Sequence, residues 1–229
     1  MVSSIFFDLD RTLWDFDFNS QETLLEIYEK YRLTHLGVDS AEEFVSIYKQ
    51  INSQLWDLYR LNKISQKDLR VERFRQTFEK FDIINPKLSE SIGKDYVEIC
   101  PRKTRLFPYV YETLDYLCLK YKLHIITNGF HETQHIKLKY SNLSVYFENI
   151  VTSEEVGEKK PSRKIFEHAL CISETTAEES VYVGDDLIVD IIGCQKSNID
   201  GVFFNPTKIK HNENPKFEIN CLSDLMKIF

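Results

Sequence analysis

Ser4-Ile5-Phe6-Phe7-Asp8-Leu9-Asp10-Arg11-Thr12-Leu13 is the stretch from which the rest of the chain can be read. Residues 4–7 form an apolar run of strand length that ends on two carboxylates, Asp8 and Asp10, two residues apart. A strand ending on polar groups delivers them to the carboxyl edge of a sheet, where open α/β folds bind ligands. The two acids then flank one spot, with Leu9 pointing away. Asp-x-Asp alone also fits a turn followed by a helix cap, so its meaning depends on what stands downstream.

Three later segments supply that context. Ile125-Ile126-Thr127-Asn128-Gly129 is a second apolar run, ending in a hydroxyl and an amide. Lys159-Lys160-Pro161 places an ammonium ahead of a helix, and Val181-Tyr182-Val183-Gly184-Asp185-Asp186 ends a further strand in acid, with Asp190 five residues past Asp185. In order and context the four pieces resemble the haloacid dehalogenase-like superfamily. Ile125 to Phe130 (IITNGF), Ser153 to Gly157 (SEEVG) and Lys160 to Phe166 (KPSRKIF) resemble the YjjG-type pyrimidine 5'-nucleotidases, and the likeness extends to Asn62–Phe74.

Periodicity predicts the architecture independently. Between residues 17 and 100 the pattern is helical. Ser20 is placed to cap a helix with Leu24, Ile27, Tyr28 and Tyr31 on one face, ending at Gly37, and Phe44, Tyr48, Ile51, Leu55 and Leu58 make the next stripe. Ser65 with Asp68 three residues on reads as a capping box, with Val71, Phe74, Phe78 and Phe81 inward, and a fourth helix spans 89–99. After Pro108 helices alternate with strands at 123–127, 150–152, 181–184 and 201–204, which means a parallel sheet covered by helices. The predicted fold is α/β, a Rossmann-like doubly wound parallel sheet with a helical insert after the first strand. Residues 1–16 and 101–229 form the core domain and 17–100 the insert. The resemblance implies that this insert is a cap that opens and closes over the site, where excluding water strengthens electrostatic contacts.

Composition narrows the function classes. A chain of 229 residues, 42% apolar, can bury a substantial core. Five cysteines without a CxxC pair predict reduced, buried thiols. No hydrophobic segment of signal length precedes Asp8 and no apolar stretch nears the ~18 residues of a membrane span, so the expectation is a cytoplasmic protein without membrane contact. A formal charge of −7 without clustered Lys and Arg argues against a nucleic-acid polymer as partner. The expected partner is a small phosphorylated metabolite, and monomer and dimer are equally compatible.

The resemblance assigns roles residue by residue. It implies that Asp8 attacks phosphorus to form an aspartyl-phosphate, and that Asp10 protonates the leaving oxygen and later deprotonates water. Mg²⁺ is implied at Asp8, the Asp10 carbonyl and Asp185, with Asp190 completing or orienting the shell. Thr127, Asn128 and Lys160 are implied to bind the phosphate. Arg11 departs from the glycine usual in the superfamily, so either the backbone there is ordinary or the loop is altered. Asp186 reads as a helix-dipole partner.

Other readings stay open. His131-Glu132-Thr133-Gln134-His135 fits the HExxH zinc pattern but lacks a convincing third ligand. A sugar phosphomutase or a phosphatase for a small sugar phosphate or phosphoglycolate shares the motifs. Asp10 argues against a dehalogenase, and the full motif set argues against a non-catalytic binding protein. The resemblance favours a nucleoside 5'-monophosphate, and Phe16, Phe18, Tyr48, Trp56 and Tyr59 are candidate stacking surfaces for a base.

Overall fold

Six short strands, β1 (Ser4–Phe7), β2 (Lys122–Thr127), β3 (Asn149–Thr152), β4 (Ser180–Gly184), β5 (Asp200–Phe204) and β6 (Phe217–Ile219), build one sheet in the order β3-β2-β1-β4-β5-β6. Every neighbouring pair is parallel. The structure is a computed structural model describing residues 1–229. The chain divides into a unit made of Met1–Phe16 with Thr104–Phe229 and a second unit of Asp17–Lys103.

The second unit is helical: α1 (Phe16–Lys30), α2 (Ala41–Arg60), α3 (Gln66–Glu79) and α4 (Pro86–Ile99). Each of the last three begins on a side-chain cap. Ser40 accepts from the Glu43 N–H, Asn85 from Leu88, and Ser65 forms the reciprocal capping box with Asp68. Helix α1 differs from expectation, starting four residues before Ser20 and ending at Lys30. Ser20 is instead a buried mid-helix residue sharing a 2.7 Å hydrogen bond with the Tyr96 hydroxyl, and Gly37, at φ 96°, closes a separate short turn at Leu33–Leu36. Aromatic rings fill this unit, with Phe44 stacked on Phe78 and Tyr48 packed against Phe74 and Tyr96. Tyr48, 1% exposed, is thus core of this unit and no surface for a base. Along α3, Phe74 and Phe78 are buried but Val71 and Phe81 are half-exposed. Arg73 takes a buried place, its guanidinium 4.4 Å from the Tyr96 ring centroid.

In the sheet unit, β1 and β4 are buried along their whole length, as strands covered on both faces must be. Helices α5 (Val110–Leu117), α6 (His131–Tyr140), α7 (Ser153–Val156) and α8 (Arg163–Ile172) connect or cover them. One face packs Phe6, Ile126, Val151 and Tyr182 against Ile165, Phe166 and Ala169 of α8, with Cys194 and Ile199. The strand order leaves β1 in the middle, paired with β2 on one side and β4 on the other. The carboxyl ends of these three strands therefore meet at the topological switch point, where doubly wound folds place ligands.

Three further details depart from the sequence reading. Residues 187–192 form a π-helical turn rather than α-helix, continuing into α9 (Gly193–Gln195). The extra residue comes with Asp186 accepting from the Ile188 and Val189 N–H groups and Asp190 turned inward, and π-turns concentrate at functional sites. Strand β6 and the closing α10 (Leu225–Ile228) were not foreseen, being too short to carry a period. All five cysteines are free thiols, but Cys118 and Cys171 are exposed and Cys221 half-exposed, so burial holds for Cys100 and Cys194 alone. No helix is long and apolar enough to cross a membrane.

Candidate active site

The backbone after β1 sets the site. Strand β1 hands over to Asp8, whose N–H donates to the Val183 carbonyl at 2.9 Å and keeps it in register with β4. Leu9 turns into the core and its carbonyl accepts from Thr12, Leu13 and Trp14, which closes a tight loop. Arg11 sits in that loop at φ 66°. The backbone is therefore left-handed at the position where the superfamily usually has glycine, and the chain accepts this strain in a non-glycine residue. The Arg11 N–H donates to the Trp14 carbonyl, and its guanidinium lies 4.8 Å from the Phe16 ring centroid.

Lys160 is the centre of the first cluster. Its ammonium, with only 2% of the side chain exposed, donates to Asp8 Oδ1 at 2.6 Å, Asp190 Oδ1 at 2.7 Å and the Tyr182 hydroxyl at 2.7 Å. Burial would depress this ammonium, yet the Asp190 and Asp8 charges outweigh it and hold its pKa above the ordinary lysine value. Asp8 is raised as well, but by burial and not by its ionic partner. Burial raises it to about 7, against the pull of Lys160 and with help from the Asp190 charge. Asp185 is also pushed well above the carboxylate range, first by burial and then by the Asp190 and Asp8 charges.

Oxygens of Asp8, Asp185 and Asp190 all lie within 4.8 Å of one another, so these three residues could hold a metal ion. The donor set suits a hard divalent cation: one buried ammonium, bonded to Asp8 and Asp190, stands against three carboxylates, and the excess negative charge favours a further cation with oxygen ligands. Asp190 is fixed by the Asp186 N–H on Oδ2 at 3.1 Å. It crosses directly above Gly184, where a Cβ would stand 2.4 Å from Oδ2, so this approach requires glycine. Thr12 Oγ1 donates to Asp185 Oδ1 at 3.3 Å.

The remaining predicted residues fall around this centre. Thr127 ends β2 buried, its hydroxyl accepting from the Gly129 N–H at 3.0 Å. The side chain of Asn128 is committed elsewhere than to an open anion site. Its Nδ2 donates to the Lys160 carbonyl at 2.9 Å while its Oδ1 accepts from the Lys160 N–H at 2.8 Å, a two-point clamp on the backbone of the lysine. The carboxylate of Asp10 does not join the Lys160 cluster. Lys137 donates to both of its oxygens, at 2.6 and 2.7 Å, and Gln134 to Oδ2 at 2.8 Å.

Sequence reasoning missed Thr12, Gln134, Lys137 and Tyr182. The last three had a usable signal: Tyr182 interrupts an aliphatic strand, and Gln134 and Lys137 are spaced i, i+3 on the helix that leaves β2. The two histidines of the HETQH segment touch in a tilted arrangement, 4.4 Å between centroids and 56° between ring planes, and His131 Nδ1 lies 3.2 Å from Thr152 Oγ1. Neither belongs to the group of possible metal ligands.

Comparison with known proteins follows the same lines. The family model for haloacid dehalogenase-like hydrolase matches residues 5–204. The chain is 33% identical over 213 residues to pyrimidine 5'-nucleotidase YjjG of Escherichia coli, covering 93% of this chain and 88% of that one. It is 28% identical over 226 residues to pyrimidine 5'-nucleotidase PynA of Streptococcus pneumoniae, covering 97% and 92%. Among solved structures, the HAD-hydrolase YfnB of Bacillus subtilis bound to magnesium superposes with a TM-score of 0.89 at 25% identity, covering 99% of this chain and 98% of that one.

Proposed function

The chain belongs to the haloacid dehalogenase-like hydrolase family, and on that premise we propose that it is a magnesium-dependent phosphomonoester hydrolase acting on nucleoside 5'-monophosphates, pyrimidine nucleotides first. The observation that carries the chemistry is the division of the two carboxylates. Asp8 sits with Lys160 and the metal-competent acids, while Asp10, two residues on, is held by a separate set of donors.

Asp8 is the nucleophile in this reading. A carboxylate oxygen of Asp8 bonds to phosphorus as the bond from phosphorus to the ester oxygen breaks, and Asp10 gives its proton to the departing alkoxide. In the second half, Asp10 takes a proton from water as that water attacks phosphorus, releasing inorganic phosphate and returning Asp8 to a carboxylate. An ammonium 2.6 Å from Asp8 lies within reach of any phosphoryl group that Asp8 attacks, so Lys160 stabilises charge there. The Thr127 hydroxyl binds a phosphoryl oxygen, and Asn128 acts by clamping the Lys160 backbone and through its own N–H. Asp8, Asp185 and Asp190, with the Asp10 carbonyl, would hold Mg²⁺. Its contribution is electrostatic, neutralising phosphoryl oxygens and favouring the ionised form of a nucleophile that burial otherwise holds near neutrality.

The nucleotide preference rests on the named activity of the two pyrimidine 5'-nucleotidases that match along nearly the whole chain. Measuring kcat/KM for UMP, dUMP, dTMP, AMP, GMP, glucose 1-phosphate and phosphoglycolate, with Mg²⁺ and after chelation, tests it. Activity should vanish in EDTA and return with Mg²⁺, with a pyrimidine nucleotide best. A sugar phosphate or phosphoglycolate about tenfold better than every nucleotide, a gap of ~1.4 kcal/mol in barrier, would refute the nucleotidase assignment and leave the phosphatase chemistry standing.

A further inference from the structure

Lys137 is buried, 4% exposed, on a helix with an exposed opposite side, a position that packing alone fills with Leu or Met. Burying an ammonium costs several kcal/mol of desolvation, and fixing its four-carbon stem adds the rotamer entropy of one of the most flexible side chains. A salt bridge recovers such costs poorly compared with an apolar residue of equal volume, so stability does not explain the choice. The geometry at its tip does. The ammonium reaches both oxygens of Asp10, at 2.6 and 2.7 Å, and rests 4.5 Å from the Trp14 ring centroid.

Gln134, one turn earlier on the same face of α6, completes the grip. Its Nε2 donates to Asp10 Oδ2 at 2.8 Å, while its Oε1 is buried without a hydrogen-bond partner. The amide thus serves as a donor, and a flipped amide would turn an oxygen against the carboxylate. Gly129 makes room for it: a Cβ there would lie 1.4 Å from Gln134 Nε2. Three residues of one loop-and-helix segment, Gly129, Gln134 and Lys137, are therefore shaped around one carboxylate.

We infer that Lys137 and Gln134 are positioning residues for Asp10, holding its carboxyl aimed at the leaving oxygen and apart from the Lys160 cluster. The inference rests on the reading of Asp10 as the group that transfers the proton. Because Lys137 contacts both oxygens, one contact persists whichever oxygen carries the proton. Without the grip, Asp10 is a short side chain at a turn with Lys160 and a metal site as competing partners for its carboxylate. Proton delivery then fails before phosphorus attack does.

The test is the dependence of rate on leaving group. Wild type and Lys137→Met are compared with Mg²⁺ on a nucleoside 5'-monophosphate, whose alkoxide needs a proton, and on nitrophenyl phosphate, whose phenolate does not. Lys137→Met should lose about 100-fold in kcat/KM, which reports phosphoryl transfer to Asp8 and not the shared hydrolysis of the phosphoenzyme, on the nucleotide and less than about threefold on the aryl ester, the range expected when general-acid help is removed. Gln134→Leu should show the same selectivity with a loss of roughly tenfold, and it serves should Lys137→Met not fold. A crystal structure of either variant should show the Asp10 carboxylate displaced. Equal losses of kcat/KM on both esters, no loss on either, or an undisplaced Asp10 would overturn the inference while the phosphatase reading stands. A wild-type enzyme inactive on every phosphomonoester overturns that reading instead.

Discussion

Replacing Lys160 with Met probes the electrostatic core of the site directly. The substitution keeps the buried volume but removes an ammonium bonded at 2.6 Å to Asp8, 2.7 Å to Asp190 and 2.7 Å to Tyr182. Leaving buried carboxylates without their cation costs on the order of 3–5 kcal/mol. The loss should depend on pH, because burial raises Asp8 to about 7 and holds Asp185 well above its ordinary value. A folded-state pKa above the unfolded one means that the folded protein keeps protons that the unfolded chain releases. Metal-free stability from these groups is thus highest near pH 4 and falls as pH rises toward 7. Without Lys160 to lower it, the Asp8 pKa rises further and the fall in stability extends to higher pH. Urea unfolding in EDTA, followed by far-UV circular dichroism, should then show a loss of about 4 kcal/mol at pH 8, equivalent to roughly 10 °C in Tm, and about half that at pH 5.5, where Asp8 is largely protonated. A loss that is the same at both pH values, or below about 1 kcal/mol at pH 8, would refute the account of Lys160 as the counter-charge of the cluster.

Mg²⁺ should raise the Tm of the wild-type protein more at pH 8 than at pH 5.5, since binding favours ionised Asp8 and Asp185; an equal shift at both pH values, by differential scanning fluorimetry, would place the ion elsewhere. Gly184→Ala puts a Cβ 2.4 Å from Asp190 Oδ2, and should cost about 1–3 kcal/mol from overpacking and weaken Mg²⁺ binding by calorimetry; unchanged Mg²⁺ affinity would show that Asp190 is dispensable to the metal. His131→Ala with His135→Ala should leave turnover within about tenfold, a barrier change of ~1.4 kcal/mol; a dead double variant beside an active Asp8→Asn would restore the zinc reading.

Much of this protein is legible in its sequence because the relevant physics is local. Apolar runs ending in Asp8, Thr127 and Asp185 are strands that present polar tips at a sheet edge, and the alternation around them specifies the parallel sheet that the strand order displays. The Ser65 and Asp68 capping box formed as read, since a cap needs no partner beyond its own first turn. What the fold alone decided is which polar group meets which. Ser20 resembles a cap in sequence and is buried beside Tyr96, Arg11 takes a left-handed backbone to close the loop after β1, and Asn128 turns to the Lys160 backbone. Lys137 and Gln134 lie in a short polar helix, yet they hold a carboxylate more than a hundred residues earlier in the chain. Period and composition say which residues are apolar enough to hide. They cannot tell a lysine in water from one buried against an acid, because that difference is set by which strand ends the sheet order brings together.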